Sequence, residues 1–156
     1  AASDVYKRQP SGRPCGCGRS GCLETYCSAT GVARTAREVL EKSAVDSPLR
    51  KLDPDSITSF DVFQAAEQGD PVALEIFEFT GSLLGRTCAD FTTFNTPEAF
   101  VFFGGLTKAG DYLMRPLRKA FEENVLHLFR GKTQLLISGL NGSEAAVLGA
   151  SALGWE

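Results

Sequence analysis

The sequence predicts an α/β fold, and three features predict it. Two short apolar runs rich in aromatic and β-branched residues, Ala99 to Phe103 and Thr133 to Ser138, read as buried strands. Asp111 to Phe129, between them, repeats its apolar residues at helical spacing, so the strands are joined as in a right-handed parallel crossover. Three upstream segments and one closing segment are also helical in pattern, giving the order α-α-α-β-α-β-α. Two strands make a poor sheet, and they are expected to complete one whose other strands lie outside these residues.

The elements follow in order. Cys15 to Cys22 reads Cys-Gly-Cys-Gly-Arg-Ser-Gly-Cys, a glycine-rich knuckle. From Leu23 to about Lys42, apolar positions recur at helical spacing, with Gly31 the weak point. Residues 43–57, with Pro48 and Pro54, read as a mobile loop. Thr58 or Ser59 caps a short helix to about Gln68. Asp70-Pro71 is a strong helix start, because the carboxylate accepts orphan amide bonds while the proline sits where a missing N–H costs nothing. That helix is expected to reach Phe94, before Asn95-Thr96-Pro97. Gly104-Gly105 ends the first strand, and Ser143 starts an Ala-rich helix through Leu153.

Composition narrows the function classes. With 156 residues, 43% hydrophobic and 22% charged, the chain suits one compact domain. Its net charge of -3 and scattered Lys and Arg carry no electrostatic footprint for nucleic acid. No run approaches the roughly 18 to 20 apolar residues of a membrane span. The expected location is the cytoplasm, in agreement with an odd number of cysteines, five, three of them clustered as in a metal site.

Cys15, Cys17 and Cys22 form a C-x-C-x4-C cluster whose thiolates suit tetrahedral zinc, and a structural site normally has four protein ligands. The fourth is not local. Cys27 is turned away on the following helix, Cys88 reads as core, and His127, the only histidine, lies between leucines on a helix. Two roles are open to Glu24 at the first turn after the loop: it can favour the helix dipole, or accept hydrogen bonds from a polyhydroxylated ligand. Gly104 and Gly105 follow a strand, where α/β sheets bind ligands and where glycines let a flat ligand approach the backbone. Neither a G-x-x-x-x-G-K-[ST] phosphate loop nor a G-x-G-x-x-G pattern is present.

The run Gly12-Arg13-Pro14-Cys15-Gly16-Cys17-Gly18-Arg19-Ser20-Gly21-Cys22-Leu23-Glu24 closely resembles the zinc motif of the ROK family (repressor, open reading frame, kinase), written C-x-C-G-x-x-G-C-x-E. The resemblance extends through Phe103-Gly104-Gly105-Leu106 and Ala145 to Ser151, and is greatest to glucokinase-type members. It implies the C-terminal part of an actin-like, ribonuclease H-like ATPase fold. It also implies zinc on Cys15, Cys17 and Cys22, a sugar contact at Glu24, and ATP adenosine against Gly104 and Gly105. The activity it implies is magnesium- and ATP-dependent phosphorylation of a hexose, glucose at the 6-hydroxyl, by an intact homodimeric protein. The alternative is a sugar-responsive ROK repressor, which an N-terminal helix-turn-helix would mark.

Two departures from the family pattern bear on this. The family's histidine ligand falls near Val5, where no histidine stands, and its catalytic aspartate and first phosphate loop lie further upstream. Asp4 to Gln9 resembles the translation of a sequencing adaptor, so residues 1–9 are expected to be non-native and 10–156 an incomplete C-terminal kinase domain. The expectation is therefore that this chain, without a catalytic residue of its own, has no kinase activity.

Overall fold

The computed structural model describes residues 12–140, 147 and 149–152. The expectation for residues 1–9 and the two ends of the closing helix lie outside them, while 147 and 149–152 are helical. Among the described residues, no helix is long and apolar enough to cross a membrane.

Among the described residues up to 140, five α-helices and two strands carry the architecture: α1 (Glu24–Cys27), α2 (Ala29–Lys42), α3 (Ser59–Glu67), α4 (Pro71–Asn95), β1 (Ala99–Phe102), α5 (Asp111–Asn124) and β2 (Gln134–Ile137). The single helix expected from Leu23 to Lys42 is two. Ser28 leaves helical geometry at φ -95°, ψ 171°, and its hydroxyl accepts the Gly31 N–H at 3.0 Å, so it caps α2. Gly31 is not the weak point. A Cβ there would lie 2.7 Å from the Tyr26 carbonyl carbon, so its bareness lets α2 begin against the backbone of α1.

Residues 43–57 are better organised than a plain loop. They form 3-10 turns at Pro48–Lys51 and Pro54–Ser56, and bury Leu49 and Ile57 in the core. Ser47 donates to Asp70 Oδ2 at 2.9 Å. The same Asp70 oxygen accepts the Ala73 N–H at 3.0 Å and caps α4, with Pro71 at its first position, as the sequence predicts. Thr58 caps α3 through a reciprocal capping box with Asp61.

The core sits between α4 and its neighbours. Ile76, Phe77, Leu113, Met114, Leu117 and Phe121 are fully buried. Two glycines one turn apart bring α4 and α5 together: a Cβ on Gly85 would lie 2.2 Å from the Leu117 carbonyl oxygen, and one on Gly81 would lie 2.6 Å from Pro116 Cγ. Either methyl would force the helices apart.

α5 ends at Asn124, short of the expected Phe129. Val125 is buried and extended (φ -65°, ψ 137°), and only a 3-10 turn, His127–Phe129, follows. The apolar spacing continues through Leu126 and Leu128, but both are exposed, so here periodicity outlasts the helix.

β1 and β2 pair in parallel, from Ala99 opposite Gln134 to Phe102 opposite Ile137, as a crossover through α5 requires. The strands are not the buried ones expected. Phe100, Phe102 and Leu135 pack on Cys88, Ala89, Phe121 and Val125, whereas Val101 is 61% exposed and Leu136 is 43% exposed. Their composition suits burial on both faces, and α4 and α5 cover only one.

Candidate functional site

The cysteine loop is shaped by its own backbone. Pro14 and Ser20 form an antiparallel bridge, Cys15 N–H donates to Arg19 O at 2.8 Å, and Gly18 N–H donates to Cys15 O at 3.0 Å. Gly18 and Gly21 take positive φ of 81° and 76°, which turns the chain back on itself. The consequence is convergence: the sulfurs of Cys15, Cys17 and Cys22 all lie within 4.8 Å of one another, and Cys17 and Cys22 are 3.5 Å apart. Sulfurs held at about 2.3 Å around a tetrahedral zinc lie about 3.8 Å from one another, so the three fit such an ion.

The thiol cluster disfavours ionisation unless a cation compensates it. Burial, then hydrogen bonding and repulsion from Cys15 and Cys17, pushes the Cys22 thiol up to about 11. Three thiolates this close are tolerated only around positive charge. Cys27 and Cys88 behave as the sequence predicts. Burial raises both to about 12; Cys88 is a core thiol, whereas Cys27 is half-buried with its Sγ directed at Thr80 O. His127 is exposed in the 3-10 turn and outside the cluster, so among the described residues the site has three ligands.

Arg13 is a buried charge that spacing does not reveal. It is buried, with 7% of its side chain exposed, and its guanidinium bonds Glu38 Oε2 at 2.7 and 3.2 Å, Thr35 Oγ1 at 2.8 Å, Thr25 O at 2.8 Å and Gly31 O at 3.3 Å. It also lies 4.4 Å above the Tyr26 ring. An arginine in a glycine loop reads as surface, and its main partner is 25 residues away. The available signal was Glu38 on the same helical face as Thr35 and Arg34, a carboxylate with more donors in reach than its own helix supplies.

Glu24 opens α1 directly after the loop. Its carboxylate is exposed and makes no hydrogen bond or ion pair among the described residues. Among the described residues, α1 therefore presents an unpaired acceptor next to the cysteine loop.

Gly104 and Gly105 lie where the sequence places them, on the floor of a cleft of about 530 Å³ at the carboxyl ends of both strands. Phe103, Gly104, Gly105, Thr107 and Lys108 line one side, and Ile137 to Leu140 line the other. Gly104 has φ 115°, ψ 176°, a conformation kept for glycine, and a Cβ on either residue would meet nothing within 4 Å. Backbone is thus bare toward open space. Gly105 and Leu106 also face Ala29, Phe60 and Phe63 across an apolar pocket of about 300 Å³, so the cleft adjoins the start of α2.

A crossover sheet with a cleft at its carboxyl edge, and a loop whose three thiols could hold a metal ion, define an α/β protein with two candidate sites. The ROK family model matches residues 5–156, and the chain belongs to the ROK family. A glucokinase of Halalkalibacterium halodurans is 37% identical over 145 residues, covering 92% of this chain and 43% of that protein. The DNA-binding transcriptional dual regulator NagC of Escherichia coli is 28% identical, covering 93% and 34%. Among solved structures, a ROK family glucokinase from Streptomyces griseus in complex with glucose and AMPPNP superposes with a TM-score of 0.81 at 31% identity, covering 94% of this chain and 48% of that one. The fold is that of the actin-like ATPases. The chain spans less than half the length of the glucokinases it matches.

Proposed function

We propose that the whole protein phosphorylates a hexose with ATP, glucose at its 6-hydroxyl, and that these residues supply part of its sugar site and one wall of its nucleotide site. The observation that carries this reading is the 37% identity to a glucokinase, which runs through both the cysteine loop and the Gly104-Gly105 cleft. Glu24, exposed and unspent, accepts hydrogen bonds from sugar hydroxyls. Gly104 and Gly105 give the adenosine a bare backbone to lie against. Magnesium accompanying ATP supplies neutralisation of charge on the transferring phosphoryl group. No residue described here is assigned as catalytic base.

Zinc, held by Cys15, Cys17 and Cys22, is structural: it stiffens the loop that leads into α1 and so orients Glu24. With three ligands of the usual four, retention is expected to be weaker than in a four-ligand relative.

A sugar-responsive repressor is the second reading, supported by the match to NagC and by a ROK family transcriptional regulator of solved structure. A coupled assay on the full-length protein separates them. The kinase reading expects glucose-dependent ADP release that is absent from the 156-residue chain alone. Sugar-sensitive binding to operator DNA, without ADP release, would replace it with the repressor.

A further inference from the structure

We propose that Arg13 is the positioning residue of the metal loop, seating the three-thiol site on α1 and α2 and thereby setting its metal affinity. The inference rests on reading Cys15, Cys17 and Cys22 as metal ligands. The bonds from Cys15 to Arg19 and from Gly18 to Cys15 are internal to the loop, so they fix its shape and not its place. Arg13 connects both. Its carbonyl accepts the Gly21 N–H at 2.9 Å, next to Cys22, and its own N–H donates to the Tyr26 hydroxyl at 2.9 Å.

The side chain completes the seat. One guanidinium nitrogen bonds the carbonyls of Thr25 in α1 and Gly31 in α2, and another bonds Thr35 and Glu38, one turn further along α2. Only a planar fork reaches carbonyls, a hydroxyl and a carboxylate on two helices at once, so lysine is not an equivalent. Glu38 is shared with Arg34, whose other nitrogen reaches Pro14 O at 3.4 Å, and this draws the residue next to Arg13 to the same carboxylate. A buried charge with this many partners is costly to desolvate, and simple stability would be served as well by apolar packing. Cys22 O already accepts the Thr25 N–H at 3.0 Å and the Thr25 hydroxyl at 2.7 Å, and what the arginine adds is a tie from the start of the loop, paired with Gly21, to both α1 and α2. Hydrogen-bonded supports of metal ligands usually account for about 10- to 100-fold in affinity.

The test is zinc affinity by chelator competition, with cobalt absorption as the readout of thiolate geometry, on the wild-type chain, Arg13→Lys, Arg13→Ala and Glu38→Gln. Melting of the metal-free proteins is measured in parallel, and Leu117→Ala, in the α4–α5 core, is the control. Arg13→Lys is expected to lose about tenfold or more in zinc affinity and to alter the cobalt spectrum. Glu38→Gln should shift both in the same direction by less, and Leu117→Ala should lower Tm with affinity unchanged. If Arg13→Ala does not fold, the Lys and Gln variants decide. Wild-type affinity in a folded Arg13→Lys would overturn the inference while leaving the metal site intact. Absence of zinc and cobalt binding by the wild-type chain would overturn the metal reading itself, and this inference with it.

Discussion

The chain has two glycine-rich turns of opposite construction. In the cysteine loop, Gly18 and Gly21 serve a structure that is filled: backbone bridges, three converging sulfurs and a buried arginine beneath. A Cβ on Gly104 or Gly105 would meet no atom within 4 Å, and the same holds at Gly18, so what separates the turns is their surroundings: the second lines an open cleft of about 530 Å³. Similar composition thus serves two ends. The first turn is built to hold its own shape, and the second to leave backbone bare for something else.

The largest expected effect breaks the filled turn. Cys22→Ser removes one of three thiolates and should lower zinc affinity at least about a hundredfold, measured by chelator competition, because ligand number dominates such sites. Retained zinc would show that the convergence of sulfurs does not define the site. Gly104→Ala comes next. Placing a side chain at φ 115°, ψ 176° should cost about 1–3 kcal/mol in denaturant unfolding, from backbone strain alone.

Glu24→Gln sharpens the comparison from the side of function. The carboxylate has no partner to lose among the described residues, so stability should change by less than about 0.5 kcal/mol. In the full-length protein the KM for glucose should rise about tenfold, as expected for losing a charged hydrogen-bond acceptor. A fall in Tm with unchanged KM would make Glu24 a helix-dipole residue.

The smallest effect is on pH. Burial raises the Glu38 carboxyl, but bonding and charge from Arg13 and then Arg34 outweigh it and hold it below its ordinary value of 4.5. A carboxyl depressed in the folded state adds stability above the unfolded value, and that contribution is lost as pH falls through the folded one. Melting temperature should therefore fall more steeply below pH 4.5 in wild type than in Glu38→Gln. Parallel curves would mean that the pair contributes nothing to the loop's seat.

What the sequence makes legible is what neighbours in the chain decide. Asp70-Pro71, the Thr58 cap and the cysteine convergence are each set by residues a few positions apart. Ser28 escaped notice because apolar spacing runs past it on both sides, so only its own backbone angles reveal a cap. The end of α5 was misplaced because Leu126 and Leu128 keep the period while lying exposed. Strand burial is illegible for a different reason. Val101 and Leu136 have the composition of a covered face, but composition states a preference and not whether a cover is present. Arg13 required contacts 12 to 25 residues away, beyond any local pattern.

The contrast between the filled and the open turn is tested most directly by Gly105→Val in the full-length protein. Gly105 has room for the side chain and no positive φ, so the fold should accept it. The expected result is a raised KM for ATP, with the KM for glucose and the Tm unchanged. A lowered Tm with an unchanged KM for ATP would contradict the account, because Gly105 would then be bare for packing and not for a nucleotide.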